Sequence, residues 1–338
     1  YYLPFQAPGF NAGIFKLILF YFKFLFFGIV KAINIIRNEK IDFIHVHTPP
    51  PSGIIAFIIY KLFKIPYFYT MHGLEVPVKF ILNLNFRFSA KHAKKTFIVN
   101  RHVIKYIKQR YNLPNLVWIP NGIKVPTIYP TKNNQNKSML IRKSNLDNFL
   151  EKDDFIISYI GYMIFQHKVR GMIDFLNGFD KFLKKLPSSK EKSKVKLIYI
   201  GDGEYSYLLE DEIKKLKLED QVFILGERLD VENILALSEL LALTSYIEGF
   251  PMVILEAMAA KVPCLASNVG EISHIIGKTG YIVQPGDVES IGKELENYYI
   301  LTESKREQMR EQAYNRVKEL FDIKVIVRKL KEYYSLII

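Results

Sequence analysis

Apolar positions along the chain fall into short continuous runs separated by stretches with helical spacing, and the alternation occurs in two series. The first series opens with residues 10–37, which are apolar, aromatic and free of proline, and read as one long helix. Strands are predicted at Asp42–Thr48 (DFIHVHT, stopped by Pro49, Pro50 and Pro51), Pro66–Met71, Thr96–Asn100 and Leu116–Ile119. Helical stretches separate them, Gly53–Phe63 first. Periodicity then lapses between Val125 and Asp153, where PTKNNQNKSMLIRKSN is rich in Asn and Lys. This stretch reads as a connection with a short helix at Ser144–Glu151.

The second series begins with a strand at Phe155–Gly161, a helix at Gly171–Leu186 and a strand at Val195–Gly201. A helix at Tyr205–Leu218, a strand at Val222–Leu225 and a short helix at Val231–Ser238 follow. A buried run then ends at Thr244, and further strands are predicted at Leu265–Ser267 and from Thr279-Gly280-Tyr281. Helices at Ser290–Ile300, Glu303–Leu320 and Ile323–Tyr334 close the chain. Such alternation implies an α/β fold with parallel sheets covered by helices on both faces. Ligands then bind outside the C-terminal strand ends, where Thr48, His72, Asn100 and Asn121 fall. The 338 residues suggest two domains, 1–126 and 153–338, joined by a linker at 127–152. The last helices are candidates for packing back on the first domain.

The stretch from Thr244 to Ala260 (TSYIEGFPMVILEAMAA) organises the second series. Pro251 fits the first helical position, because its fixed φ suits a helix and its missing N–H costs nothing there. Two carboxylates remain, Glu248 in the loop and Glu256 in the helix. The unpaired N–H groups and the dipole of a helix start favour an anion such as a diphosphate. Glu256 is placed to accept hydrogen bonds from paired hydroxyls such as those of a ribose, and Glu248 from a second hydroxylated ring. On spacing alone, an amphipathic helix with a solvated Glu is the simpler reading.

Other chemistry is largely excluded. The single cysteine, Cys264, forms no internal disulfide, fits a reducing compartment and reads as a small core residue. No metal-ligand spacing appears, and His45 and His47 alternate on a strand as packing residues do. No G-x-G-x-x-G follows a strand, which argues against a dinucleotide oxidoreductase, and Gly201-Asp202-Gly203 reads as a tight turn. Lys16 and Lys23 interrupt the apolar run Ile14–Val30, so a membrane-spanning helix is not expected.

The residues around the two carboxylates change the balance. SYIEGFPMVILEAMAAKVPCLASNVGE resembles the E-x7-E motif of the retaining glycosyltransferases of family 4 (glycosyl transferases group 1), with departures at Lys261, Cys264 and Glu271. IDFIHVHTP, TMHG and WIPNGI are similar to N-terminal landmarks of that family. The resemblance implies a GT-B fold, two Rossmann-like parallel-sheet domains facing across a cleft. It implies a nucleotide diphosphate sugar as donor, no cofactor and no metal, and transfer with retention to a lipid or saccharide acceptor. Glu248 would orient the sugar and Glu256 the ribose, while His72 of the His-Gly pair would point at the donor sugar. Gly249, Phe250, Pro251 and Met252 would cradle the diphosphate. The donor phosphate would accept the acceptor's proton in a front-face displacement. Family members carry an Arg after the Gly that ends the first strand of this domain; here Gly161 is followed by Tyr162. Arg170 falls on the family's Lys position, so Arg170 and Lys168 would neutralise the leaving diphosphate. Asn121-Gly122 would mark the crossover between domains. Family members open with a strand, a Gly-rich loop and a helix, so YYLPF would be a third strand and the sequence would lack its first elements.

Charge is distributed unevenly. Residues 1–126 hold 17 Lys and Arg against 3 Asp and Glu, and the rest of the chain 30 against 31. The same half carries the aromatic run Phe15–Phe27, with Lys16 and Lys23 on one helical face. A basic, aromatic helix face suits an anionic membrane interface, so peripheral docking at the cytoplasmic face of the inner membrane is expected. A basic surface around a soluble acceptor is the simpler reading. No nucleic-acid motif or stacking platform accompanies the charge. Two other functions stay open: a nucleotide-sugar 2-epimerase of the same fold, for which His274 is the acid–base candidate, and a non-catalytic partner subunit.

Overall fold

The computed structural model describes residues 14–47, 52–72, 80–126 and 134–337. The expectations for Tyr1–Phe5, Thr48 and Gly73 lie outside them. The chain forms two compact units, residues 1–120 with 326–338, and residues 121–325.

Unit 1 runs α1 (Ile14–Asn38), β1 (Ile44–His47), α2 (Ser52–Phe63), β2 (Tyr67–Met71), α3 (Phe80–His92), β3 (Thr96–Ile98), α4 (His102–Tyr111) and β4 (Leu116–Trp118). Its strands pair in parallel in chain order. β2 is buried along its whole length, as a central parallel strand covered on both faces should be. Tyr67, Tyr69 and Met71 share one core with Phe86, Ile98 and Ile107. Phe68 joins Phe97 and Ile119 in a second core, closed by Ile326, Leu330 and Tyr334 of the chain's last helix.

α1 packs on α2, most closely at Gly28, where an added Cβ would lie 2.4 Å from the Ile55 side chain. It leaves Phe15, Leu19, Phe22, Phe26 and Val30 exposed, positions that recur at helical spacing and form one stripe. Ile18–Asn38 is long and apolar enough to cross a membrane by length and composition, beyond what the lysine-interrupted run suggests.

Unit 2 begins with α5 (Asn134–Lys143), β5 (Phe155–Ile160), α6 (Gln166–Lys185), α7 (Ser189–Ser193), β6 (Val195–Ile200), α8 (Ser206–Leu216), β7 (Val222–Ile224) and α9 (Val231–Leu237). It continues with β8 (Leu240–Leu243), α10 (Met252–Ala259), β9 (Cys264–Ser267), α11 (Ile272–Ile276), β10 (Tyr281–Val283), α12 (Val288–Tyr299) and α13 (Glu303–Leu320). α14 (Ile323–Tyr334) starts here and belongs to unit 1 from Ile326 onward. The parallel sheet has the order β10-β9-β8-β5-β6-β7. The chain builds outward from β5 to β7, then returns to lay β8 on the other side of β5. The winding therefore reverses between β5 and β8, and a ligand crevice is expected at their C-terminal ends.

Three elements depart from the sequence reading. The 127–152 stretch is not a bare connection: α5 buries Leu140 and Ile141 with Leu146, Leu150, Ile198 and Ile234, while Ser144–Glu151 forms turns instead of a helix. α6 starts at Gln166, five residues ahead of the expected Gly171, because its buried stripe (Val169, Met172, Leu176, Phe179) already begins at Val169. Pro251 is the cap and not the first residue of α10, with an extended ψ of 115°.

Candidate active site

The loop after β8 and the start of α6 meet at the C-terminal ends of β8 and β5, and small residues make the approach close. A Cβ on Gly171 would lie 2.5 Å from the Thr244 carbonyl oxygen and 3.1 Å from Ser245 Cα. The Thr244 hydroxyl donates to the Gly171 carbonyl at 2.7 Å, and the Thr244 N–H donates to the Tyr159 hydroxyl at 3.1 Å. From β9, the Ser267 hydroxyl donates to the Ser245 carbonyl at 2.5 Å. The backbone leading into the E-x7-E segment is thus tied to both neighbouring strands before its side chains act.

This docking brings the two cations of α6 to the loop. The Lys168 ammonium forms an ion pair with the Glu248 carboxylate, with side chains 27% and 13% exposed. Arg170 lies over the Tyr246 ring, its guanidinium carbon 4.7 Å from the centroid, and the Tyr246 hydroxyl donates to Asp174 at 2.7 Å. Lys168 is therefore the cation joined to the loop carboxylate, and Arg170 is engaged by an aromatic face. Tyr162, which stands where the resemblance calls for Arg, is 65% exposed.

The loop from Glu248 to Met252 is backed by the turn after β9. Gly270 has φ +54°, and a Cβ there would lie 2.2 Å from the Glu248 carbonyl oxygen, so this position needs glycine twice over. The Glu271 N–H donates to the Gly249 carbonyl at 3.1 Å. Glu271 has φ −88° and is fully buried, so a side chain is tolerated where the family pattern has a second glycine. Phe250 is buried against Phe321, with centroids 5.9 Å apart. Pro251 caps α10, and Met252 follows as its first residue.

Glu256 is partly exposed in a helix whose neighbours Ile254, Leu255, Ala257 and Met258 are buried. It lines a cavity of about 880 Å³ with Leu229, Val231, Glu232 and Lys143. Burial, and then the charge of Glu232, raise its carboxyl above the usual range. The space and the acceptor fit a hydroxylated ligand. At the other side of β5, Gly161 donates its N–H to the Ile200 carbonyl at 2.9 Å, and Gly201 (φ +129°) approaches its carbonyl so closely that a Cβ would lie 2.0 Å away. Gly201-Asp202-Gly203 therefore serves to hold the loop after β5.

Lys261 adopts φ +58° in the left-handed turn that ends α10, the conformation for which the family uses glycine. Its ammonium pairs with Glu311 of α13. Cys264 is buried in β9, its thiol pushed well up by burial. Among the described residues no group of three His, Cys, Asp or Glu is arranged to hold a metal ion. His274 packs edge-on to Phe321.

His72 lies in unit 1, directly after β2. Its Nε2 is 2.8 Å from His47 Nδ1, and the His45 ring lies tilted behind that of His47. The residues assigned to the diphosphate, ribose and leaving group from sequence fall in unit 2.

Residues 170–316 match the family model for glycosyl transferases group 1, and residues 7–125 match that for glycosyltransferase family 4. The chain is a family 4, group 1 glycosyltransferase. Its GT-B fold is shared with a crystal structure of a glycosyltransferase from Rickettsia africae (TM-score 0.77, 18% identity, covering 98% of this chain and 84% of that one). Anabaena HepE in complex with UDP and glucose is similar at a TM-score of 0.72 and 21% identity, over 91% of this chain and 80% of that one. By sequence, this glycosyltransferase is 26% identical to N-acetyl-alpha-D-glucosaminyl L-malate synthase of Bacillus anthracis, over 90% of this chain and 77% of the relative. It is 24% identical to the UDP-Gal:alpha-D-GlcNAc-diphosphoundecaprenol alpha-1,3-galactosyltransferase of Escherichia coli, over 91% and 78%.

Sequence reasoning about this glycosyltransferase overlooked Tyr246, Asp174, Glu232 and the part of His47. Tyr246 and Asp174 carry no local signal, since one lies on the loop and the other a turn beyond Arg170 on α6, and only the close approach at Gly171 joins them.

Proposed function

We propose that this glycosyltransferase moves a sugar from a nucleoside diphosphate sugar to a lipid or saccharide acceptor with retention of anomeric configuration. The observation that carries the reading is the E-x7-E segment on the β5–β8 reversal, with Glu256 in a cavity large enough for a nucleoside and Glu248 joined to Lys168. Glu256 accepts from the ribose hydroxyls. The backbone N–H groups of Gly249, Phe250 and Met252, with Lys168 and Arg170, meet the diphosphate and stabilise its charge as it leaves. Glu248 orients the sugar, and the family resemblance assigns His72 a contact with the donor sugar. The bond from the anomeric carbon to phosphate oxygen breaks, the acceptor oxygen bonds that carbon on the same face, and its proton passes to the departing phosphate. No cofactor or metal is assigned a part.

The same reading places the protein peripherally on the inner face of the cytoplasmic membrane, against anionic lipid. The exposed stripe of α1 supports this, with Phe15 at 85% and Phe22 and Phe26 at 64% exposure, beside exposed Lys16 and Lys23. So does the name of the Escherichia coli relative, whose substrate is carried on diphosphoundecaprenol.

The test is nucleotide release from a panel of labelled nucleotide sugars, with and without a lipid extract. Acceptor-dependent release of free nucleotide supports transfer. Conversion of the donor to its epimer points instead to a 2-epimerase, and binding without turnover of any donor to a partner subunit.

A further inference from the structure

Three imidazoles line one face of the unit 1 sheet at its C-terminal edge. His45 and His47 stand two residues apart on β1 and so share a face. His72 follows β2, whose Thr70 is the register partner of His47. The His45 and His47 ring centroids are 4.3 Å apart, and the His47 and His72 rings stack at 5.1 Å and 20°.

The contacts within this row are polar as well as stacked. His47 Nδ1 lies 2.8 Å from His72 Nε2, a distance at which one ring donates a proton to the other. His45 is clamped at both nitrogens, Nδ1 to the Tyr334 hydroxyl at 2.5 Å and Nε2 to the Thr70 hydroxyl at 2.7 Å. Burial first, then the neighbouring rings, hold the His45 and His47 imidazoles below their usual range, so both are neutral at pH 7. A neutral His47 shares a single bridging proton with His72. The tautomer of one then dictates that of the other, and a ring bonded at one nitrogen cannot flip without losing the bond.

We propose that His47 is a positioning residue for His72: the hydrogen bond from Nδ1 to Nε2 sets the orientation and tautomer with which His72 meets the donor sugar. This rests on the role given to His72 above. His45, locked by Thr70 and Tyr334, backs the His47 ring, so the row is anchored in the core formed by Phe68, Phe97 and α14. The competing reading, a strand histidine that only packs, predicts that ring shape alone matters.

Three variants separate the two. His47→Phe keeps the ring and removes both nitrogens. His47→Asn returns an amide nitrogen near the place of Nδ1. His47→Gln offers the same amide at the place of Nε2 and carries the comparison if the Phe variant does not fold. The expected result is a fall in kcat/KM for donor turnover of roughly ten- to a hundredfold in the Phe and Gln variants, the scale seen when the partner of a metal-binding histidine is removed. Recovery of most of it is expected in Asn. Added to His72→Phe, His47→Phe should cost nothing more, because it acts through His72. The ¹⁵N resonances of the His72 imidazole should report a bonded Nε2 in the wild type and in Asn, and a changed one in Phe.

Folded Phe and Gln variants with wild-type kcat/KM, or a His47→Phe loss that adds in full to that of His72→Phe, would overturn the proposal alone. A wild-type protein that releases nucleotide from no donor overturns the glycosyl-transfer reading, and this proposal with it.

Discussion

Lys168 and Glu248 stand 80 residues apart in the chain and meet as an ion pair where α6 packs on the loop after β8. Removing Lys168 leaves a mostly buried carboxylate without its cation, which is costlier than losing an exposed pair. Lys168→Ala should lower turnover about 10²-fold, and Glu248→Ala by about 10²–10³. Arg170→Ala, which frees the Tyr246 ring, should cost less than about tenfold. Steady-state kinetics on the donor identified by the panel decides this, and a silent Lys168→Ala beside a damaging Arg170→Ala would reverse the assignment.

Glu256 is expected to act on binding more than on turnover. A hydrogen bond to a charged group is worth about 1.5–3 kcal/mol. Glu256→Ala should therefore weaken donor affinity roughly ten- to a hundredfold with the fold intact. Calorimetric titration with the nucleoside diphosphate reads this directly, and unchanged affinity in a folded variant removes the ribose role.

Gly171 sets the distance between α6 and the E-x7-E segment. The Cβ of Gly171→Ala, 2.5 Å from a backbone carbonyl, forces the helix or the loop to move. Overpacking of this kind costs about 1–3 kcal/mol. Chemical denaturation should show that loss, and turnover should fall with it because Lys168 moves away from Glu248. Stability and rate both at the wild-type level would contradict the close approach.

Unit 1 should lose stability in mild acid through His45. Burial, with His47 and His72 adding to it, lowers its imidazole from 6.5 to about 4. Between those values the unfolded chain binds more protons than the folded one, so stability rises with pH across the window and is lost as pH falls through it. The loss is on the order of 2 kcal/mol after discounting for solvent screening. Urea midpoints at pH 7 and pH 5 measure it, and His45→Phe should flatten the difference. An unchanged slope would assign the effect to other groups.

Membrane docking predicts separate contributions from the two sides of the α1 stripe. Wild-type protein should sediment with anionic vesicles, less so at high salt. Lys16, Lys23 and Lys31 changed to Glu should abolish binding. Phe22→Ser with Phe26→Ser should weaken it while the dependence on salt remains. Equal sedimentation with neutral vesicles, or none with anionic ones, counts against the reading.

The strands and their parallel pairing were legible because each is a short apolar run between helices, as at Phe155–Ile160 and Leu240–Leu243. The E-x7-E segment was legible because its proline, its small residues and its two carboxylates lie within one stretch of chain. α5 was not, since its buried pair Leu140 and Ile141 is too short to show a period among Asn and Lys. The start of α6 was misplaced because Gly171 looks like a helix boundary; it is interior, and its lack of a side chain answers to Thr244 across the sheet. The couplings of Lys168 to Glu248, Arg170 to Tyr246 and His47 to His72 span many residues. They exist only once strands distant in sequence become neighbours.

The final helix has a consequence for the order of synthesis. Phe68, Phe97 and Ile119 share their core with Ile326, Leu330 and Tyr334, which are made only after the whole of unit 2. At about 5–20 residues per second, roughly 10–40 s separate the two on a translating ribosome. Throughout that interval unit 2 can fold from contiguous chain, while one face of the unit 1 sheet waits uncovered and His45 lacks its Tyr334 partner. Of the two units, the one begun first is therefore completed after the other.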